Sequence, residues 1–237
     1  MPVAIITGAS KGLGRALAEA LARRGWDLVL DARTESVLAK TAEELRRHGT
    51  RVVALPGDVT RAGHREVLVA AAKELGSLDL LVSNASALGA EPLVPLAALP
   101  LSGLREALET NVVAALGLVQ EALPLLRGDT PGTGPGAVIA VSSDAAREAY
   151  PTWGGYGASK AALDLLIGVL AVEEPGLRVW AVDPGDMRTD LYEAAVPGDG
   201  DGGARPAPES VVPAFLRLLD ERPASGRYEA TVLTTGR

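Results

Sequence analysis

The amino-acid sequence predicts an α/β fold, in which one doubly wound sheet of seven parallel strands carries helices on both faces. Short apolar runs rich in Val, Ile and Leu alternate along the chain with longer segments of helical pattern. Such alternation is typical of parallel strands joined by crossover helices. The first run, Val3 to Ile6, leads through a glycine-rich turn into an alanine- and leucine-rich stretch. Strand, glycine turn and helix therefore follow one another at the start of the chain.

The strands are predicted from short apolar runs, and the helices from longer amphipathic or apolar segments between them. The predicted strands are 3–6, 27–32, 51–55, 78–83, 137–142, 177–182 and 227–233. The predicted helices are 13–24, 36–48, 61–75, 102–126, 156–173 and 209–221.

Two segments depart from this alternation. Residues 128–136 are rich in Gly and Pro and are predicted to form an exposed loop. Residues 184–208 form a longer segment with Pro184, Gly185, Pro197 and a Gly/Asp run. A loop of that length in a compact domain is usually functional or disordered. Its place after the sixth strand predicts a flap over a ligand crevice.

Length and composition narrow the class of protein. The 237 residues are enough for one domain with a substantial core, so we expect a single domain over 1–237. Cysteine is absent, which excludes disulfides and thiolate metal sites, and His48 and His64 are expected in polar surroundings far from other ligands. A net charge of −7 without a basic run argues against nucleic acid. With no signal-like segment and no long uncharged apolar stretch, we expect a cytoplasmic protein without a membrane span.

The glycine turn from Thr7 to Gly14 has the features of a phosphate-binding turn. Gly8, Gly12 and Gly14 allow a tight turn and a close approach of the main chain to a pyrophosphate. The helix that follows presents free N–H groups and the positive end of its dipole. The alternative is a glycine-rich helix cap without a ligand. The preceding strand favours a dinucleotide site.

Tyr156 and Lys160 are separated by four residues within a predicted helix. Side chains at this spacing share one helix face, so the ammonium can lie beside the phenol and stabilise the phenolate. An unperturbed tyrosine has a pKa near about 10, and a nearby cation lowers it. The pair therefore predicts a general acid or base, and together with the glycine turn it indicates a reductase.

Several motifs, in this order, resemble those of the short-chain dehydrogenase/reductase family, over essentially the full length of the chain. Thr7 to Gly14 is similar to the family's cofactor turn, Asp58-Val59 to its adenine contact, and Ser83-Asn84-Ala85 to most of its Asn-Ala-Gly motif. Asp183-Pro184-Gly185 through Thr189 resembles the turn beside the nicotinamide. The resemblance implies a Rossmann-type fold and a nicotinamide dinucleotide in contact with Thr7, Gly8, Ser10, Lys11, Gly12, Leu13, Gly14, Asp58, Val59, Asn84, Ala85, Pro184, Gly185 and Thr189.

The resemblance also implies a catalytic tetrad of Asn111, Ser143, Tyr156 and Lys160. Tyr156 would give the proton, Lys160 would tune the phenol and hold the ribose, and Ser143 would orient the carbonyl. The family's asparagine kinks its helix and holds a water that relays protons to the lysine, whereas a solvated Asn111 is the plain alternative. Ser142 is the alternative to Ser143 and is expected to be structural.

Two parts of the chain depart from the family pattern. Ser86 stands where the family usually has Gly after Asn84-Ala85, and Ser83 replaces a common Asn. A serine is tolerated at position 86 if its φ is negative, whereas a positive φ would strain it. The segment from Gly226 to Arg237 lacks the usual terminal Asp-Gly-Gly signature.

The end of the second strand bears on the choice of cofactor. A carboxylate such as Asp31 usually binds the adenosine ribose and selects NAD. Counting from Gly25, the family's selective position instead falls on Ala32, followed by Arg33. Arg33 and Lys11 can both meet a 2′-phosphate, each charged hydrogen bond contributing about 1.5–3 kcal/mol. We therefore expect NADP(H), with two solvated surface cations as the alternative.

The predicted function is an NADP(H)-dependent oxidoreductase that moves a hydride between nicotinamide and a carbonyl or alcohol substrate. The rival hypothesis is a dinucleotide-binding sensor or scaffold without turnover, which would not need Tyr156 with Lys160. The apolar outer faces of helices 102–126 and 156–173 predict a homodimer or homotetramer. The substrate is expected to meet a mixed apolar and aromatic wall of Leu88, Glu91, Leu93, Ala145, Tyr150, Trp153, Met187, Leu191 and Tyr192.

Overall fold

The computed structural model describes residues 1–128, 134–200 and 205–235. They contain a seven-stranded parallel sheet in the order β3-β2-β1-β4-β5-β6-β7. Its strands are β1 (Val3–Ile6), β2 (Asp27–Ala32), β3 (Val52–Pro56), β4 (Leu80–Ser83), β5 (Ala137–Val141), β6 (Arg178–Asp183) and β7 (Gly226–Glu229). The predicted α/β class and the parallel sheet are confirmed.

Nine α-helices accompany the strands within the described residues. They are α1 (Gly12–Arg23), α2 (Glu35–Arg46), α3 (Ala62–Leu75), α4 (Leu101–Leu108), α5 (Ala114–Leu126), α6 (Gly154–Glu173), α7 (Asp190–Ala195), α8 (Val212–Glu221) and α9 (Ala230–Thr235). Helix α8 follows a short 3₁₀ turn, so the predicted helix 209–221 is two elements. Residues 129–133 of the predicted loop and residues 201–204 of the predicted flap lie outside the described part of the chain.

The core lies on both faces of the sheet because side chains alternate along each strand. In β1, Ala4 and Ile6 pack towards α1, α2 and α8, whereas Val3 and Ile5 pack towards α3, α5 and α6. The strand order reverses between β1 and β4. A crevice forms outside the carboxyl ends of the strands at such a switch point, which is where ligands bind in open α/β sheets.

The prediction of a last strand over 227–233 is wrong in its second half. The strand ends at Glu229, and Ala230–Thr235 form α9. In the observed register, Glu229 lies opposite Asp183, the last residue of β6. The chain after Asp183 leaves the sheet at Pro184, so residues beyond Glu229 have no neighbouring strand to pair with. Threonine, valine and leucine in this segment favoured a strand only by local propensity.

The predicted helix 102–126 is also divided. Leu101–Leu108 and Ala114–Leu126 are α-helical, and Glu109–Val113 between them form a π-helical turn centred on Asn111. Such π turns are rare and frequently lie at functional sites.

Helix α6 is long and apolar enough by composition to cross a membrane, with a mean hydropathy of 1.4. Its Leu163 and Ile167 are nevertheless buried against the sheet, and Tyr156 and Lys160 are also buried. Packing in the core accounts for the apolar residues on this buried face of the helix.

Candidate active site

A cleft of about 440 Å³ lies at the carboxyl ends of β1, β4, β5 and β6. The glycine turn after β1 lines one side, and the turn after β6 lines the other. Tyr156 and Lys160 of α6 lie between them, together with Ser143. The structure thus brings together segments that are far apart in the sequence.

The glycine turn is fixed by contacts with the segment after β4. Gly8 adopts a φ of +64°, which favours glycine, and the Asn84 side-chain amide donates to the Thr7 carbonyl at 2.8 Å. The Thr7 hydroxyl in turn accepts from the main-chain N–H groups of Asn84 and Ala85. A Cβ on Gly14 would lie 2.5 Å from the Gly8 carbonyl oxygen. Thr7, Asn84 and Gly14 therefore shape the turn from behind.

The first turn of α1 fits an anionic ligand. Lys11, at the N-cap, makes no side-chain hydrogen bond to the main-chain N–H groups, and the first turn holds no acidic residue. Gly12 and Leu13 line the cleft, so the N-terminal N–H groups and the helix dipole face it. The Ser10 carbonyl accepts a hydrogen bond from the Thr41 hydroxyl, and Ser10 does not line the cleft. These residues fit the pyrophosphate of a dinucleotide.

At the end of β2, the side chains of Asp31 and Arg33 lie in different environments. Asp31 is buried, and its carboxylate accepts from His64 Nε2 at 2.7 Å, with the Gly8 N–H at 3.4 Å. Burial raises the pKa of Asp31, and the His64 contact opposes that change. Arg33 is exposed, and its charge helps to lower the pKa of Asp58. The structure thus brings Arg33 and Asp58 together, while Asp31 faces the interior.

His64 corrects one expectation of the sequence analysis. Its side chain is only 13% exposed and its Nε2 lies 2.7 Å from the Asp31 carboxylate, so it is not far from another potential ligand. A Cβ on Gly57 would lie 2.3 Å from the imidazole, so this glycine makes room for the ring. Among the described residues, no group of three or more histidines and carboxylates could hold a metal ion. The pair of His64 and Asp31 supports the glycine turn, because the Asp31 carboxylate also accepts from the Gly8 N–H.

Asp58 is held in its loop by two hydrogen bonds. Its carboxylate accepts from the N–H of Thr60 at 2.9 Å and from the Thr60 hydroxyl at 2.8 Å. These hydrogen bonds lower the pKa of Asp58. The neighbouring Val59 is buried. Asp58 and Val59 follow the end of β3 and are not among the residues that line the cleft.

Tyr156 and Lys160 are both buried. Lys160 Nζ lies 5.5 Å from the centre of the Tyr156 ring and donates to the Val141 carbonyl at 2.8 Å. Burial lowers the pKa of Lys160 to about 8, while the Asp164 carboxylate acts in the opposite direction. Burial also raises the pKa of Tyr156 above its usual range, and the hydroxyls of Ser86 and Ser143 counteract that rise. The expected lowering of the Tyr156 pKa is not what this structure gives, because loss of solvation on burial outweighs the two serine hydrogen bonds.

Ser143 and Ser142 occupy different environments. Ser143 lines the cleft, and its hydroxyl donates to Asp144 at 3.0 Å and accepts from the Ala145 N–H at 3.2 Å. Ser142 also borders the cleft but is 2% exposed, and its N–H continues the sheet towards Val182. Of the two hydroxyls, only that of Ser143 influences the pKa of Tyr156.

Asn111 is 1% exposed, and both the oxygen and the nitrogen of its side-chain amide are hydrogen-bonded. Its oxygen accepts from the Ala87 N–H at 2.8 Å and from the Ser86 hydroxyl at 3.1 Å. Its nitrogen donates to the Ala87 carbonyl at 2.9 Å and to the Ser159 hydroxyl at 2.8 Å. The alternative of a solvated asparagine is therefore wrong. Asn111 links the segment after β4 to the helix that carries Tyr156.

Ser86 is accommodated without backbone strain. Among the described non-glycine residues, positive φ values occur at Thr152 and Arg222 alone. Ser86 lines the cleft, and its hydroxyl donates to the Asn111 side-chain oxygen. The same hydroxyl also acts to lower the pKa of Tyr156.

The turn after β6 begins with Asp183, whose carboxylate accepts from the Gly185 N–H at 3.0 Å. Pro184, Gly185 and Thr189 all line the cleft, and Thr189 caps α7 through its hydroxyl. An unpredicted ion pair joins this segment to the glycine turn, because Lys11 Nζ lies 2.6 Å from Asp190.

The predicted substrate wall is formed in part. Leu88, Tyr150, Trp153, Met187, Leu191 and Tyr192 line the cleft. Glu91, Leu93 and Ala145 do not: Glu91 is exposed, and Leu93 and Ala145 pack in a small cluster behind the cleft. They follow the strand ends in sequence but do not line the opening. Asp144, Asp186 and Asp190 line it instead, and sequence reasoning missed them because single acidic residues in loops carry no pattern.

Fold and cleft together define an oxidoreductase that uses a nicotinamide dinucleotide. A family model described as short chain dehydrogenase matches residues 2–199, and the chain belongs to this family. The glycine betaine reductase ATRR of Emericella nidulans is 38% identical over 192 residues, which cover 80% of this chain but only 15% of that protein. Sepiapterin reductase of Meriones unguiculatus is 38% identical over 210 residues, covering 81% of this chain and 77% of that enzyme.

Solved structures with the same fold include complexes with NADP-type cofactors. An alcohol dehydrogenase of Thermococcus sibiricus in complex with 5-hydroxy-NADP is 28% identical, with a TM-score of 0.85, over 97% of this chain and 95% of that one. A short-chain dehydrogenase of Escherichia coli CFT073 in complex with NADPH is 28% identical, with a TM-score of 0.87, over 97% and 96% of the two chains.

Proposed function

We propose that this protein is an NADP(H)-dependent carbonyl reductase in which Tyr156 is the proton donor. The observation that carries the proposal is the position of Tyr156, buried beside Lys160 and within the influence of the Ser143 hydroxyl, in a cleft lined by the glycine turn. A pure binding protein would have no need for this arrangement, because burying a lysine with one main-chain acceptor is costly.

Each residue of the tetrad has a distinct part in the proposed reaction. When bound, the cofactor supplies a hydride to the carbonyl carbon of the substrate. Ser143 donates a hydrogen bond to the carbonyl oxygen, and Tyr156 transfers its proton there as negative charge develops. Lys160 stabilises the resulting phenolate, and Asn111 fixes the helix that carries both. The raised pKa of Tyr156 keeps its proton in place at neutral pH, which suits the reduction direction.

NADP(H) is the cofactor that the charges around the cleft favour. Asp31 is buried against His64, which leaves the exposed Arg33 at the position where a 2′-phosphate would lie. Lys11 lines the cleft, where its ammonium contacts Asp190. Tighter binding of NADPH than of NADH, lost in the double variant Arg33→Ala with Lys11→Ala, supports this choice. Equal or tighter NADH binding by the unmodified protein contradicts it.

Residues 184–208 are proposed to act as a substrate flap on a single domain. Met187, Leu191 and Tyr192 of this segment face the cleft across from Trp153, and the Tyr192 and Trp153 rings lie 6.0 Å apart. The flap would enclose an apolar or aromatic carbonyl compound and exclude water from it.

The proposed function is tested by NADPH oxidation with a panel of aldehydes, ketones, diketones and sepiapterin. We expect Tyr156→Phe to lower turnover by about 10²-fold or more while NADPH still binds, because only the proton is removed. Tyr228→Phe is the matched control, since this tyrosine of β7 lies outside the cleft and its hydroxyl donates to the Ala224 carbonyl. NADPH binding without turnover across the panel would favour a nucleotide-binding sensor. Normal turnover by Tyr156→Phe would remove the tyrosine from the mechanism.

A further inference from the structure

The last strand, which departs from the family pattern, places a buried arginine directly behind the candidate catalytic residues. Arg227 lies in β7 opposite Ala181 of β6, and its side chain is 10% exposed. Buried arginines normally have partners that use most of their five donors.

Arg227 has four acceptors, and three of them belong to functional segments. Its Nε donates to Asp164 at 3.0 Å, and Asp164 lies one helical turn after Lys160. One Nη donates to Asp183 at 3.0 Å and to the main-chain carbonyl of Ser143 at 3.1 Å. The remaining Nη reaches Glu229 at 3.2 Å.

The fork of the guanidinium links three elements that are neighbours in the fold. Ser143 leaves β5, Asp183 begins the turn beside the proposed nicotinamide position, and Asp164 belongs to α6. A planar, rigid donor set can hold three such acceptors in one geometry, which a lysine ammonium on a flexible stem cannot do. The contact to Ser143 is made to its carbonyl and does not involve the hydroxyl.

We infer that Arg227 is a positioning residue that fixes the main chain of Ser143 relative to Tyr156 and to the turn after β6. This inference rests on the proposed function for the role of Ser143. It gives the last strand a part in the reaction although that strand contributes no residue to the cleft.

Charge is a second reason why Arg227 occupies this place. Asp164 and Asp183 are 15% and 8% exposed, and a second oxygen of Asp164 is buried without a hydrogen-bond partner among the described residues. Both carboxylates act on the candidate catalytic pair, because Asp183 raises the pKa of Tyr156 and Asp164 raises that of Lys160. Arg227 partly neutralises their charge at this position.

The test uses Arg227→Lys, which keeps the positive charge but cannot span the three acceptors. We expect kcat for the best carbonyl of the panel to fall about 10-fold, as for a displaced catalytic group, with the NADPH Kd changed less than about 3-fold. Glu229→Gln is the matched control: it removes only the negative charge of the partner that is 51% exposed and should leave kcat unchanged. An unchanged kcat in Arg227→Lys overturns the inference.

A double-variant cycle distinguishes positioning from a general structural role. In the Ser143→Ala background, Arg227→Lys should change kcat by less than about 2-fold, because residues that act through one another are not additive. Effects that multiply would show that Arg227 acts elsewhere, and would overturn the assignment. If Arg227→Lys does not fold, Arg227→Gln, which keeps a donor at this place, undergoes the same measurements.

Hydrogen exchange supplies a readout that needs no substrate. The N–H groups of Ala145 and Ala146 bond to the hydroxyl and the carbonyl of Ser143. We expect a peptide covering 143–148 to exchange faster in Arg227→Lys at an unchanged unfolding midpoint. Unchanged exchange contradicts the inference. A protein that reduces no carbonyl, yet shows this local change, would contradict the proposed function and leave the contact between Arg227 and the Ser143 loop standing.

Discussion

At the scale of single residues, the candidate site is costly to fold. Lys160 is 2% exposed, and its ammonium donates to a single main-chain carbonyl. Desolvation of a charge that lacks a close carboxylate partner opposes folding. The lowered pKa of Lys160, about 8, expresses the same cost in terms of proton affinity. Sites of this kind commonly trade stability for activity.

Lys160→Met should therefore stabilise the protein at pH 7 by about 1–3 kcal/mol while abolishing turnover. Below pH 8 the lysine is charged in both the folded and the unfolded chain, so the cost is fully present. Between pH 8 and 10.5 the folded protein loses the proton while the unfolded chain keeps it, and the wild type regains stability. Urea unfolding at pH 7 and pH 10 measures this. A Lys160→Met gain that is the same at both pH values would contradict it.

At the scale of elements, the π turn between α4 and α5 places Asn111 in the interior. The turn directs the amide towards Ala87 on one side and towards Ser159 of α6 on the other. In a regular α-helix over 102–126, the side chain of residue 111 would point in a different direction. The pattern of apolar residues alone therefore could not place it.

Asn111→Asp keeps the size of the side chain but removes both donors. The carboxylate would face the Ala87 carbonyl, so we expect a loss of about 2 kcal/mol or more of unfolding free energy at pH 7. The loss should shrink at low pH, where a protonated Asp regains one donor. Denaturant unfolding at pH 5 and 7 tests this, with the exposed Glu109→Gln in the same turn as the control. Wild-type stability of Asn111→Asp at pH 7 would show that the amide donors are dispensable.

Helix α7 and the glycine turn are joined by the ion pair of Lys11 with Asp190, whose side chains are 61% and 76% exposed. An exposed pair contributes little to stability, but it competes for the cation that would meet a phosphate. Asp190→Asn should therefore tighten NADPH binding by about 2- to 5-fold and leave NADH binding unchanged. Fluorescence titration with both cofactors measures this, with Asp199→Asn in the same flap as control. Weaker NADPH binding by Asp190→Asn would indicate that the pair itself holds the site together.

At the scale of the whole molecule, α6 leaves an apolar stripe on the surface. Leu165, Val169 and Val172 are 71%, 44% and 81% exposed. In the π turn before α5, Val113 is 51% exposed. In α5 itself, by contrast, the buried residues include Ala114, Ala115, Leu118 and Val119. The outer face is thus narrower than the sequence predicted, and it lies mainly on α6. Contiguous exposed apolar residues of this kind mark association surfaces.

We therefore predict a homodimer or homotetramer that associates through this stripe. Leu165→Glu with Val172→Glu should lower the mass measured by light scattering at micromolar concentration, because two charges would be buried at the contact. Val67→Glu, on the exposed side of α3, is the control. A wild-type protein that is monomeric at this concentration would exclude the prediction.

The sequence by itself determined the features that lie within one short segment. The glycine turn, the spacing of Tyr156 and Lys160 and the alternation of strands with helices are local patterns, since the residues concerned are neighbours on one element. The fold class and the family followed from them. Ser143 and Asn111 could be located through the resemblance, while their hydrogen bonds could not.

The tertiary structure decided the contacts between distant segments. Glu229 is the end of β7 because β6 stops at Asp183, and His64 is partly buried because it meets Asp31 across the ends of two elements. Arg227 meets Ser143 only because β5, β6 and β7 are neighbours in the sheet. No local pattern encodes such pairs: their free energy comes from burial and hydrogen bonding between segments that only the folded chain brings together.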